Sequence, residues 1–117
     1  MARVVAVRSR ALSLPLHTPF VTALRRTTTV ETLLVLVESD DGLVGLGEAP
    51  QVWQVTGESV AGARACVESI LAPVLVGTAL DDWPATAAVL AGACARNFGA
   101  KSAVETALLD LVARRAG

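Results

Sequence analysis

The sequence predicts an α+β domain, a three-stranded antiparallel meander followed by a bundle of about three helices. Three observations carry this. Asp41-Gly42 separates two apolar runs, and an Asp-Gly pair in that setting marks a hairpin, because glycine readily takes the positive φ of the turn. Beyond Thr56 the apolar residues recur at helical rather than alternating spacing. The length of 117 residues fits one domain, whose core can bury about two thirds of the unfolded surface.

The first strand is expected over Arg3–Leu14, with Val5 and Val7 on one face and Arg8, Arg10, Leu12 and Leu14 on the other. Its apolar phase changes near Arg8–Arg10, which suggests a bulge or a strand that leaves one environment for another. Pro15 and Pro19 exclude a continued central strand, so Pro15–Arg26 is expected to be a loop. The β-branched run from Thr27 to Val37 reads as a strand covered on both faces. The return strand, Leu43–Ala49, contains Gly45 and Gly47, which permit another backbone to approach closely, and Pro50 stops it.

Thr56 is a candidate cap for the first helix, with Glu58 in its first turn, an apolar stripe of Val60, Ala63, Val67, Ile70 and Leu71, and an end at Pro73. A second helix begins near Asp81-Asp82 and tolerates Pro84 in its first turn. After the break at Asn97-Phe98-Gly99, the last helix buries Ala100, Ala103, Val104, Ala107, Leu108, Leu111 and Val112, while Lys101, Glu105 and Arg114 face elsewhere and Gly117 caps it.

Composition excludes several classes of function. A net charge of −1 supplies no basic field to attract nucleic acid. No segment approaches the roughly 20 uninterrupted apolar residues of a membrane helix. The N-terminal apolar residues are broken by Arg3, Arg8 and Arg10, so no signal peptide is expected and the location is expected to be cytoplasmic. Cys66 and Cys94 fit no zinc or redox spacing and are expected as buried, reduced thiols. Charged residues make up only 18% of the chain, against roughly a quarter in an average domain, so an apolar partner-binding surface is expected. Within Thr18–Gly57, the two loops that frame the hairpin are where a small molecule is expected to bind.

Several motifs run in order along nearly the whole chain. They are Pro19-Phe20-x-Thr22-Ala23-Leu24-Arg25, Glu31-Thr32, Asp41-Gly42-Leu43-Val44-Gly45, Gly47-Glu48-Ala49-Pro50, Val55-Thr56-Gly57-Glu58-Ser59, and Ala100-Lys101-Ser102-Ala103-Val104-Glu105-x-Ala107-Leu108-x-Asp110. In this order and spacing the chain resembles the N-terminal capping domain of the enolase superfamily, in the branch of muconate cycloisomerases and dipeptide epimerases. The first and fifth motifs together are most similar to the Ala-Glu type of dipeptide epimerase.

The resemblance implies that residues 1–117 form a cap that closes over a (β/α) barrel absent from this chain. Two cap loops would complete the pocket for an acidic, dipeptide-like substrate. Arg25 would face an acidic group of that substrate, Phe20 would wall the pocket and Val55 would add apolar contact. The catalytic bases, a Lys-x-Lys motif, and three carboxylates for Mg²⁺ would lie in the barrel beyond Gly117. No catalytic or metal-binding residue is therefore assigned within this chain. The fragment is expected to be inactive alone and to self-associate through its barrel-facing surface. The alternatives are a stand-alone interaction module that docks on a separate barrel chain, or the cap of a muconate cycloisomerase, an o-succinylbenzoate synthase or an N-acylamino-acid racemase.

By residue type alone, Arg25 and Arg26 read as solvated loop charges, Phe20 as a loop anchor and Val55 as a hydrophobic staple before Thr56. Trp53 either packs on the barrel or lines the pocket. Glu48 reads as structural and His17 as solvated. Glu38, Asp40 and Asp41 surround a turn where aspartate is favoured for conformational reasons and are not a metal cluster.

Overall fold

The β-branched run forms the central strand, β2 (Arg26–Ser39), of a three-stranded sheet. It lies between the antiparallel strands β1 (Val4–Val21) and β3 (Val44–Pro50) in a computed structural model that describes residues 1–117. The Asp40–Leu43 turn joins β2 to β3, with Gly42 at φ +84° and its N–H donating to the Ser39 carbonyl. Leu33, Val35, Val37 and Ser39 are buried on one face of β2, while on the other face Thr32 is buried and Leu34, Leu36 and Glu38 are half-buried. The expectation of a strand covered on both faces is therefore corrected: helices cover one face only.

The first strand is longer than its prolines suggest. β1 continues through Pro15 to Val21, because it is an edge strand and a missing N–H on the solvent side breaks no ladder. Pro15 still pairs with Thr29, and after a register shift Phe20 pairs with Thr27 and Val21 with Arg26. The expected loop over Pro15–Arg26 is thus mostly strand. Of the two readings of the phase change, the bulge at Arg8–Arg10 is not there. Pairing runs without interruption from Ala6 to Pro15, and the irregularity lies between Val4 and Ala6, not at Arg8–Arg10.

Helix α1 (Val60–Cys66) passes through a π-helical turn, Val67–Leu71, directly into α2 (Ala72–Leu75). Ser59, not Thr56, is the cap, its hydroxyl accepting from the Gly62 N–H at 3.0 Å. Pro73 does not end the helix. The widened turn, in which the Ala72 N–H reaches the Val67 carbonyl, immediately precedes the residue that has no N–H to give. A short 3₁₀ turn, Leu80–Asp82, leads into α3 (Trp83–Gly92), with Leu90 buried and Val89 exposed. The chain ends in α4 (Phe98–Ala116).

All the residues predicted to bury on α4 do so, Val112 partly. Lys101 corrects the expectation that it faces outward. It is buried, and its ammonium donates to the carbonyls of Ala91, at 2.9 Å, and Cys94. These carbonyls end α3 and begin the turn after it, where helical N–H partners run out and a cation is favourable. The core joins Val4, Leu33, Val35 and Val37 of the sheet to Val67, Leu71, Leu75, Leu90, Val104, Leu108 and Leu111 of the helices. Each fully buried leucine contributes about 2 kcal/mol of transfer free energy.

α4 is seated on β3 with almost no gap. A β-carbon at Gly45 would overlap the Ala107 carbonyl, and one at Gly47 the Ala103 carbonyl. Asp110 completes the seat by accepting the Leu46 N–H at 2.9 Å, and it also pairs with Arg114 at 2.9 Å. The Leu46 hydrogen bond, and then Arg114, hold the Asp110 carboxyl below the usual carboxylate range. Asp41 is lowered in the same direction, chiefly by the Ser39 hydroxyl and then by Arg115.

Gly47→Ala is expected to cost about 3 kcal/mol or more in urea unfolding, because the helix must move. Gly42→Ala, with open space but a positive φ, is expected to cost only about 1 kcal/mol. Comparable losses at the two sites would contradict this account of the helix seat. A carboxyl with a depressed folded-state pKa adds stability above its unfolded value of about 3.9 and loses it as pH falls through the folded value. The melting temperature of the wild type should therefore exceed that of Asp110→Asn near neutrality and converge on it below about pH 4. A gap that persists at low pH would show that the carboxylate's charge is not what matters.

Candidate functional site

Both loops singled out in the sequence emerge at the same end of the sheet. β3 stops opposite Thr32, so Arg26–Glu31 of β2 has no β3 neighbour and continues with β1 alone as a two-stranded ribbon. Six residues at about 3.4 Å each carry its tip roughly 20 Å beyond the end of β3. The tip is the turn Thr22–Arg25, closed by the Thr22 N–H donating to the Arg25 carbonyl at 2.8 Å. The Thr22 hydroxyl accepts from the N–H groups of Leu24 and Arg25, so a local side chain sets the turn.

Arg25 and Phe20 meet at this tip. The guanidinium carbon lies 5.9 Å from the centre of the Phe20 ring, a cation–π contact worth about 0.5–1 kcal/mol where exposed. Neither Arg25 nor Arg26 takes part in an ion pair; the paired arginines are Arg8, Arg64, Arg114 and Arg115. Phe20 (52%) and Leu24 (64%) remain largely in solvent. The tip therefore offers a guanidinium supported from one side by an aromatic face, with donors free for an incoming acceptor.

The second loop, Gln51–Ser59, is wound around one carbonyl. The N–H groups of Val55, Thr56 and Gly57 all donate to Val52, whose own N–H donates to the Glu58 carbonyl. Gly57 adopts φ +74°, which the turn requires and an L side chain resists. Val55 (62%) and Trp53 (58%) protrude from the loop, so Val55 is not packed down as a staple. Arg25 and Phe20 are brought together; Val55 is at the same end of the sheet, with no hydrogen bond or ion pair to either.

Two residues that the sequence did not single out as site residues hold this loop. The Gln51 side-chain oxygen accepts from the Val60 N–H at 3.1 Å, tying the loop to the start of α1. The Glu58 carboxylate accepts from the Gly99 N–H at 2.6 Å, at the N-terminus of α4. A carboxylate is stabilised there by unpaired N–H groups and the helix dipole. Gly99 makes the approach possible, since a β-carbon would sit 2.6 Å from that oxygen. The sequence signal was a Glu just outside one helix, facing a Gly just inside another 41 positions later, and such pairing is invisible without the fold.

The acidic residues around the hairpin turn are occupied in structure. Glu38 pairs with Arg8 at 3.5 Å, Asp40 accepts the Arg3 N–H, and Asp41 accepts from Ser39 and from Arg115. Glu48 stands exposed on the uncovered sheet face opposite Leu34, and the His17 ring hydrogen-bonds to its neighbour Thr18. No three His, Cys, Asp or Glu side chains converge, so this chain's residues do not fit a Mg²⁺ site.

Residues 4–117 match the family model described as mandelate racemase / muconate lactonizing enzyme, N-terminal domain. The L-Ala-D/L-Glu epimerase of Bacillus subtilis is 34% identical over 115 residues, which are 98% of this chain but 31% of that protein. The solved structure of its substrate-liganded complex superposes with a TM-score of 0.94, covering 98% of this chain and 32% of that one. A dipeptide epimerase from Enterococcus faecalis, solved with Mg and the dipeptide L-Leu-L-Tyr, is 27% identical with a TM-score of 0.89, covering 97% of this chain and 32% of that one. The chain thus spans about a third of the length of the relatives it matches. An antiparallel meander with a helix seated on its last strand, matched from Val4 to Gly117, belongs to the mandelate racemase / muconate lactonizing enzyme family as its N-terminal domain.

Proposed function

We propose that residues 1–117 are the specificity cap of a cytoplasmic dipeptide epimerase, closing over a barrel that removes the proton α to a carboxylate. The observation that carries this reading is Arg25, stacked on Phe20 and free of any acidic partner, at the tip of an extended ribbon. A guanidinium fork binds a carboxylate through two parallel hydrogen bonds, which selects an acidic side chain on the dipeptide. Phe20, Val55 and Trp53 bring apolar surface over the bound molecule and exclude water as the loops close. The Ala-Glu specificity of the Bacillus subtilis relative supports an acidic substrate.

Bases and Mg²⁺ belong to the barrel in this reading, and the cap alone is inactive. Arg25 contacts a part of the substrate that does not react, so its loss weakens ground state and transition state alike and appears in KM. In the polypeptide that joins this domain to its barrel, Arg25→Met is expected to raise KM for L-Ala-L-Glu by roughly 10–100-fold with kcat little changed. KM for a neutral dipeptide should hardly move. Equal losses on both substrates would remove Arg25 from specificity, and epimerisation by the isolated domain, run as the blank, would overturn the division of labour.

The uncovered sheet face supports a partner surface. Leu14 and Leu46 are exposed there beside half-buried Leu34 and Leu36. The isolated domain is expected to self-associate through it. Sedimentation velocity should show the mean mass rising with concentration, and Leu46→Lys should suppress the rise. A wild-type domain that stays monomeric over the same range would refute this.

A further inference from the structure

Cys66 and Cys94 lie 28 positions apart in the chain, yet their sulfurs are 3.8 Å apart. Cys66 ends α1 and is buried in the core, while Cys94 sits half-exposed in the connection between α3 and α4. Both are free thiols. The connection is irregular: Arg96 and Asn97 both take φ 54°, and the Asn97 side-chain amide lies 3.9 Å from the Cys94 sulfur. The gap between the sulfurs must close to about 2 Å for a bond, which rotation of Cys94 in this non-helical segment can supply.

We propose that Cys66 and Cys94 form a reversible dithiol–disulfide site whose oxidant is a low-molecular-weight disulfide of the glutathione type. The Cys94 thiolate attacks one sulfur of the oxidant and expels one small thiolate. Cys66 then loses its proton to solvent or to that thiolate and attacks the Cys94 sulfur, expelling the second. Two thiol hydrogens and two electrons leave the protein, and the oxidant becomes two thiols. The order follows from position: Cys94 is reachable, whereas burial and then the contact with Cys94 push the Cys66 thiol up to about 11.

The bridge joins the two supports of the Gln51–Ser59 loop. α1 receives that loop through the Gln51–Val60 hydrogen bond, and the start of α4 receives it through Glu58–Gly99. A bond from the end of α1 to the α3–α4 connection restrains both supports together.

The test is to expose the folded chain to excess oxidised glutathione near pH 8.5, where thiols ionise, and to measure intact mass and peptide linkage. The expected result is a loss of two hydrogens, a peptide linking Cys66 to Cys94, and reversal by a phosphine reductant. Two free thiols, or a stable glutathione adduct, would overturn the site. Cys66→Ala should halt the reaction at an adduct on Cys94; an unmodified Cys94 in that folded variant would overturn the order of attack. Closing a loop of this length should raise the melting temperature by roughly 10 °C. Amide exchange at Val55, Thr56 and Gly57 should slow in the bridged form, and unchanged exchange there would sever the link to the loop.

Discussion

The contact between β3 and α4 sets the rest of the architecture. Two backbones touch where Gly45 and Gly47 face the Ala107 and Ala103 carbonyls, and small residues on both sides are what allow it. Dense packing has no tolerance for an added methyl at such a point. The seat brings Val104, Leu108 and Leu111 onto the buried face of the sheet, and it brings Asp110 to the Leu46 N–H on an edge strand whose donors would otherwise face solvent. Because the helix is placed by backbone contact and not by long side chains, its N-terminus is placed too. Gly99 is therefore in position to receive Glu58, and the support of the second loop depends on a packing contact one to two turns further along the helix.

The two loops are held in different ways. The Gln51–Ser59 loop is anchored on both sides, to α1 and to α4, and is wound around the Val52 carbonyl, so only Trp53 and Val55 project. The β1–β2 ribbon has no helix against its outer part and no third strand beyond Glu31, so it is held by its own ladder and by the Thr22 turn. A two-stranded ribbon in water has little independent stability. The arrangement gives one rigid wall and one compliant arm, which suits a cap that must admit a substrate and then cover it.

Features decided locally were legible in the sequence. The Asp41-Gly42 turn, the helical stripe of α4 and the Pro at the start of α3 each depend on neighbours a few residues away, while the glycine pair of β3 announced a close backbone approach without naming its partner. Features decided by tertiary position were not. Pro15 and Pro19 are strand breakers only in a central strand, and edge position depends on the order of the sheet. Pro73 ends a helix only if the turn before it cannot widen. Lys101 looked solvated because its two acceptors lie on the preceding helix and turn. Of the candidate site, Arg25, Phe20 and Val55 are proposed from the family resemblance, whereas the hydrogen bonds of Gln51 and Glu58 required the fold. The two cysteines carried no recognisable spacing because their proximity is created by the packing of α1 against the α3–α4 connection.

The unpaired charge at the ribbon tip follows a similar logic. A guanidinium in water is inexpensive to leave alone, and an exposed ion pair within the domain would have added at most about 1 kcal/mol. In the proposed function, such a pair would also have had to be broken before a substrate could bind. The Phe20 face steadies Arg25 without using its hydrogen-bond donors, so the side chain loses less freedom when a carboxylate arrives. Once the loops exclude water, the effective dielectric falls and the same pair strengthens. In the proposed function, the ribbon keeps its strongest polar interaction unmade in the open domain, and closure over a bound acid is the step in which that interaction forms.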